Sequence, residues 1–265
     1  MIVQHPRNVQ FAWNPTRGPF TILTAEQARQ YDEKGYFRLE GAFDAAEMDA
    51  VAQAIEPFEQ QMEAMLRRQP DGRMMIAKAD AITFTIHLVS KSETLKAFAQ
   101  HEVFARLCQD IMGTPSRLYW DQAVYKKPGN PEEFPWHQDN GYTYTEPQQY
   151  LTCWVALVDA TPENGCPWVV PGLHTKGTLQ HQPTDLGWQC LSNPDGAEAV
   201  PAKKGDIVVF SSLTPHRTGP NLTDGVRKSY ILQYAPDGAL AYPAGQDEPV
   251  AQNDPQRQFL MPMPA

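Results

Sequence analysis

The chain has 265 residues, 42% of them hydrophobic and 20% charged, with a net charge of −9 at pH 7 and a pI near 5.2. An acidic surface opposes binding to nucleic acid or to an anionic membrane, both of which need a basic field, and no run reaches the roughly 18 apolar residues of a membrane helix. Single mixed or barrel domains extend to about 250 residues, so one elaborated domain over 1–265 is expected.

In chain order, residues 1–20 are polar, contain proline and lack periodicity, which predicts an irregular N-terminal arm. The opening MIVQHPRNVQ has no basic-then-apolar leader. Cys108, Cys153, Cys166 and Cys190 show no CxxC spacing, so reduced thiols and a cytoplasmic setting are expected. TAEQARQYDEKGY predicts a short helix, with Thr24 and Gln27 as a capping box and Gly35 as the stop. YFRLEGAF then reads as a strand. Asp44 and Glu47 open a second helix that runs into the sixties, its apolar face marked by Met48, Val51, Ala52, Ile55 and Phe58. RRQPDGR is a turn leading into extended structure or a buried loop, and SETLKAFAQHEVFARLCQDIMG is helical as far as Gly113.

Beyond that point the texture changes. LYWDQAVYKKP, QYLTCWVALVDA, CPWVVPG, DIVVFSS and RKSYILQYA are short strands rich in Val, Ile, Tyr and Trp, separated by PGN, TPENG, NPDG and NLTDG. Helices first and strands after predict an α+β class, a β-sandwich or barrel with helices packed on one face. Residues 237–265 read as a proline-rich C-terminal tail, with Phe259, Leu260 and Met261 able to tuck back.

The chemistry centres on PWHQDNG, residues 135–141. On a strand His137 and Asp139 project to one side and Gln138 to the other. Alone, the pair is equally an ordinary polar strand end. A third ligand would come from His5, His87, His101, His174, His181 or His216. His5 lies in the arm and His101 in a helix, both expected at the surface. His216 ends a buried-looking strand at a barrel mouth, and two histidines with one carboxylate form the facial set of non-haem Fe(II) oxygenases. Arg227, eleven residues on, opens the next strand, where a guanidinium can grip a carboxylate with two prongs. Thr218 shares the face of His216 and can donate a hydroxyl to the same carboxylate.

His137-Gln138-Asp139, YTEP (144–147), WVALVDATPENGCPW (154–168), PGLH (171–174), His216 and Arg227 together resemble the phytanoyl-CoA dioxygenase family of Fe(II)/2-oxoglutarate oxygenases, nearest its domain-containing protein 1 type. The likeness spans about residues 25–236. It implies a double-stranded β-helix (jelly-roll or cupin-like) core, with iron on His137, Asp139 and His216 as the catalytic ligands. It further implies 2-oxoglutarate held by Arg227 and Thr218, with Trp154 and Gln122 lining its pocket. PGLH departs from the family's usual PGSH, so His174 is expected to be structural; Lys78 and Lys126 are candidates for the lysine that relatives place near the cosubstrate.

The implied reaction is hydroxylation of an unactivated C–H bond of a small molecule, with O2 and 2-oxoglutarate giving succinate and CO2. Halogenating relatives lack the carboxylate, so Asp139 argues against halogenation. Residues 67–90 and NGYTYTEPQQ are expected to form a lid. Met74, Met75, Phe84, Tyr142 and Tyr144 would suit an apolar part of the substrate; Arg67, Arg68, Arg73 and Lys78 would bind an acidic part or remain solvated. Two rivals are a cupin-like metal-binding protein without turnover and a hydrolase using the same ligands on zinc.

Overall fold

Local signals set the helices. In the computed structural model, which describes residues 2–246 and 248–262, helix α1 (Ala25–Lys34) begins at the Thr24/Gln27 capping box and ends at Gly35 in the left-handed region, φ 84°. A Cβ on Gly35 would sit 2.5 Å from Thr214 Oγ1 and 2.6 Å from His174 Nδ1, so close packing demands glycine as much as the turn does. Helix α2 (Ala45–Leu66) opens with the Asp44/Glu47 box and buries Met48, Val51, Ile55 and Leu66, while Ala52 and Phe58 are only partly covered.

The helix predicted over 92–113 is two: α3 (Glu93–Ala99) and α4 (Glu102–Met112). His101 is the cap of α4 rather than a residue within a helix, its Nδ1 accepting from the Val103 N–H at 3.2 Å. A side-chain acceptor that satisfies an orphan N–H restarts the helix. YFRLEGAF is likewise shorter than expected, because the chain leaves the strand at Gly41, whose N–H donates to Asp206 Oδ1 at 2.8 Å.

The strands are β1 (Tyr36–Leu39), β2 (Arg73–Met74), β3 (Ala77–Lys78), β4 (Ile82–Ile86), β5 (Ser116–Lys126), β6 (Tyr144–Glu146), β7 (Leu151–Ala156) and β8 (Pro167–Val169). They continue as β9 (Gln182–Thr184), β10 (Gly187–Gln189), β11 (Glu198–Ala199), β12 (Ile207–Ser211), β13 (His216–Thr218), β14 (Arg227–Pro236), β15 (Leu240–Tyr242) and β16 (Val250–Ala251). The main antiparallel sheet runs β1-β12-β7-β14-β5-β4-β3-β2, and a smaller one runs β11-β8-β13. Alternation gives the main sheet two apolar faces. One, with Tyr125, Cys153, Val155, Val209, Tyr230 and Leu232, packs on Met48, Ile55, Leu95 and Phe104 of the helices. The other, with Val124, Trp154, Ala156, Phe210 and Ile231, packs on Cys166, Val169 and Val200 around the smaller sheet. This is the jelly-roll arrangement of the expected α+β class, and its inner layer holds the polar residues described below.

Both ends of the chain dock. The tail returns along β5, where the Leu118 N–H donates to Phe259 O at 3.1 Å and the Met261 N–H to Ser116 O at 2.8 Å, so the tail is packed rather than a loose surface strand. The arm is irregular but anchored: buried Asn8 donates to the carbonyls of Lys176 (2.9 Å) and Thr178 (3.0 Å) and accepts from Gln148 Nε2 (3.2 Å). Residues 1, 247 and 263–265, within the expected arm and tail, lie outside the described residues. Asn8→Ala leaves those carbonyls unsatisfied, and a loss of about 1–3 kcal/mol is expected in denaturant unfolding. Among the described residues no helix is long and apolar enough to cross a membrane.

Candidate metal centre

PWHQDNG is not a ladder strand. His137 makes a single antiparallel bridge with His216, their N–H groups donating to each other's carbonyls at 3.0 and 2.8 Å, and Asp139 opens a 3-10 turn, Asp139–Gly141. Alternation survives through Gln138 alone, which is extended at φ −110° and ψ 143°. Its side chain turns away from the pair and is fully buried, donating to Leu213 O (2.6 Å) and Gly177 O (3.1 Å) and accepting from the Leu179 N–H (2.6 Å). Gln138 therefore fixes the backbone between the two candidate ligands.

His216 heads β13 and its ring centre lies 4.2 Å from that of His137. Ligand atoms of His137, Asp139 and His216 all fall within 4.8 Å of one another, with His216 Nε2 3.8 Å from Asp139 Oδ1. Each histidine directs Nδ1 at a carbonyl, His137 at Pro135 O (2.8 Å) and His216 at Thr214 O (2.9 Å). Those hydrogen bonds assign both rings the tautomer with a free Nε2 lone pair, the form that binds a metal. Burial, and then the neighbouring His216 ring, hold the His137 pKa well below its ordinary value, so this imidazole stays neutral.

Thr152 completes the set. Its Oγ1 donates to Asp139 Oδ2 at 2.6 Å, leaving Oδ1 for an ion. Sequence reasoning missed it, although it stands two residues before Trp154 on the same face of β7. Thr152→Val should weaken Fe(II) binding by about 10- to 100-fold in an anaerobic titration, the usual effect of losing such an orienting partner.

The end of β13 touches a buried basic pair. Arg227, 1% exposed, opens β14 in register with Lys126 of β5. Its Nη1 donates to Ser229 Oγ (2.5 Å) and Val124 O (3.3 Å), while Nε and Nη2 have no partner. No carboxylate among the described residues pairs with it. Burial pushes its pKa down to about 9. Lys126 Nζ donates only to the carbonyls of Gly219 (2.5 Å), Thr218 (3.2 Å) and Glu132 (3.4 Å), and burial, then Arg227, hold its pKa well below the ordinary value. A buried guanidinium with two donor nitrogens unpartnered and no carboxylate against it has the chemistry to take an anion. Trp154 places its ring 5.5 Å from the guanidinium. Trp154 and Gln122 both pair with Ile231, which puts all three on the inner face, and Thr218 shares the face of β13 with His216.

The remaining candidates separate. Tyr142 stands edge-on to His137 at 5.3 Å, and Phe84 follows at one remove, packing on Phe134 (5.9 Å), which meets His137 at 4.8 Å. The structure does not bring Met75 or Tyr144 to the centre. Met75 is 79% exposed beyond β2. Tyr144 stacks on His5 at 4.7 Å and donates to Arg7 O, because pairing of β6 with β15 turns it towards the arm. His5 is thus packed against an aromatic ring rather than free at the surface. Met74 is exposed, Arg67 pairs with Glu63 and Asp80, and Arg73 and Lys78 both pair with Glu132. A groove of about 870 Å³ lies elsewhere, between the arm and the end of α4, lined by Arg7, Phe11, Ile111 and Gln148.

The other histidines are committed. His181 accepts from the Gln138 N–H and directs Nδ1 at Leu179 O, both at 2.9 Å. His174 is buried against Trp13, as a structural residue would be, and His87 contacts Arg257.

A family model described as phytanoyl-CoA dioxygenase (PhyH) matches residues 31–229. The chain is 36% identical over 124 residues to a methylphosphonate hydroxylase of Gimesia maris, covering 47% of each chain, about half of that relative. It is 26% identical over 260 residues to phytanoyl-CoA dioxygenase domain-containing protein 1 of Danio rerio, covering 80% of this chain and 89% of that one. Its fold matches that of SnoK, a non-haem α-ketoglutarate-dependent carbocyclase from nogalamycin biosynthesis, at a TM-score of 0.72 and 22% identity over 92% of this chain and all of that one.

Proposed function

The chain belongs to the phytanoyl-CoA dioxygenase family and is an iron- and 2-oxoglutarate-dependent oxygenase, and from that premise we propose that His137, Asp139 and His216 hold the iron while Arg227 holds the far carboxylate of 2-oxoglutarate. The observation that carries the assignment is the pair of unpartnered donor nitrogens on buried Arg227, in the same inner layer as a two-nitrogen, one-oxygen donor set. A planar guanidinium offering two parallel donors suits a carboxylate.

When bound, the iron supplies O2 activation coupled to conversion of 2-oxoglutarate to succinate and CO2, and with it C–H hydroxylation. The protein's own part is placement. Pro135 and Thr214 carbonyls orient the two imidazoles, and Thr152 turns one oxygen of Asp139 inwards. Trp154 walls the cosubstrate pocket, and Thr218 and Gln122 offer it a hydroxyl and an amide. In this buried layer each hydrogen bond to an anion is worth more than it would be in water.

The substrate is a small molecule, and the similarity to a methylphosphonate hydroxylase makes methylphosphonate the first to try. Arm, barrel and tail form one catalytic domain on this reading. The cytoplasmic placement rests on the unpaired thiols of Cys108, Cys153, Cys166 and Cys190.

Anaerobic titration with Fe(II) and 2-oxoglutarate should produce a visible metal-to-ligand charge-transfer band, followed by succinate release on admitting oxygen. A non-catalytic metal-binding protein would give no succinate. A zinc hydrolase would act without oxygen and without need of Arg227. Iron-loaded protein that shows no band with 2-oxoglutarate refutes the assignment.

A further inference from the structure

Tyr142 follows the turn that carries Asp139, its N–H donating to Asp139 O at 3.2 Å. The ring stands at 86° to that of His137, with centres 5.3 Å apart. Its hydroxyl is buried and has no hydrogen-bond partner among the described residues. The Trp188 backbone N–H approaches the oxygen without completing a hydrogen bond, and nothing accepts the hydroxyl proton. A phenol keeps its proton at physiological pH, so the group is a hydrogen-bond donor there. A buried hydroxyl without an acceptor is destabilising, and natural cores seldom keep one unless a ligand supplies the partner.

The groups packed around the hydroxyl are apolar. The β9–β10 hairpin comes down on the hydroxyl at Gly187, φ 119°, where a Cβ would lie 2.8 Å from the Tyr142 oxygen, 3.1 Å from Ile76 Cγ2 and 3.9 Å from Phe134 Cζ. Only glycine lets the hairpin descend that far. The oxygen therefore lies where two hairpins, represented by Gly187 and Ile76, converge with Phe134 beside His137. Apolar walls around one fixed polar group are how small-molecule sites set orientation. His181, packed against the adjoining Gly141, is bonded at both nitrogens.

We propose that Tyr142 is a substrate-binding residue whose hydroxyl donates to an acceptor oxygen close to the carbon that is oxidised. The substrate class is then a small molecule bearing an oxyanion or a carbonyl, not a plain hydrocarbon. This deepens the oxygenase reading and rests on it. A phosphonate oxygen and a thioester carbonyl share the required chemistry, so methylphosphonate and phytanoyl-CoA serve as the two probes.

The experiment compares wild type with Tyr142→Phe, each loaded with Fe(II) and 2-oxoglutarate. In wild type one of the probes triggers succinate release. In the variant kcat/KM for that probe falls at least about tenfold, as expected for a hydrogen bond worth 1.4 kcal/mol or more. The charge-transfer band with 2-oxoglutarate is unchanged, and the apo Tm is equal to or above that of wild type, because an unsatisfied donor has been removed. Three results overturn the proposal: kcat/KM within twofold of wild type, an apo Tm lowered by several degrees, which marks a structural hydroxyl, or silence of both probes in wild type that shows the band. Absence of the band in wild type is a separate outcome that sinks the oxygenase reading itself.

Discussion

Asp139→Ala abolishes substrate-triggered succinate formation, with a loss well beyond the about 10- to 100-fold expected for Thr152→Val, because it removes a ligand rather than the partner that orients one. The fold should survive. Asp139 is held by the Thr152 hydroxyl and by its place in a short turn, and it lies outside both apolar layers. Truncation leaves one hydroxyl without its acceptor, about 1–3 kcal/mol, partly offset by removing a negative charge from a poorly solvated site. A modest change in Tm beside a total loss of turnover separates chemistry from unfolding. Asp139→Asn sharpens the test, since the amide keeps an acceptor for Thr152 but loses the charge that a divalent ion needs. If Asn and Ala are equally inactive, the carboxylate acts as a ligand; if Asn retains wild-type turnover and Fe(II) affinity, the proposed triad is wrong.

How much of this was legible in the sequence depends on whether the signal was local. Thr24/Gln27 and Asp44/Glu47 named both helix starts because a capping box is complete within four residues. The strands beyond residue 115 were readable by composition for a similar reason. His101 was misjudged because its ring caps a helix from outside it, which apolar periodicity cannot register. Strand parity placed His137 and Asp139 together correctly in a segment that is barely a strand, since one extended residue between them suffices. Pairing partners were the hidden quantity. Gln122 needed the β5–β14 register to show its face, and Lys126 meets Arg227 only through that register. Tyr144 was placed wrongly because β15, nearly a hundred residues later, turns it towards the arm. The β9–β10 hairpin was missed because Gly187 and Tyr142 carry no sequence signal linking them.

Arg227→Met tests the other half of the site through two effects of opposite sign. Removing one side of a buried, hydrogen-bonded charge pair costs about 2–5 kcal/mol, so the 2-oxoglutarate dependence should weaken roughly 30-fold or more. Without 2-oxoglutarate, however, the guanidinium is a buried cation with two N–H groups unsatisfied, and a methionine of similar length fills the space without that penalty. The apo variant should therefore melt at or above the wild-type temperature. Saturating 2-oxoglutarate should reverse the order: at a hundred times the wild-type Kd the ligand adds about 2.7 kcal/mol to wild type, while a variant binding 30-fold more weakly gains only about 0.9 kcal/mol. The pH dependence follows from the pKa of about 9 for Arg227. A base whose folded pKa lies below its unfolded value binds fewer protons folded than unfolded between the two values, so apo stability rises with pH across that window. The advantage of Arg227→Met is thus complete below about pH 9 and shrinks above it. A variant that melts several degrees lower yet keeps its response to 2-oxoglutarate would make Arg227 a packing residue and leave the cosubstrate to Lys126. The crossing of the two melting curves on adding 2-oxoglutarate is what a structural arginine cannot produce, because only a site built around a missing anion is destabilised by its own cation until the anion arrives.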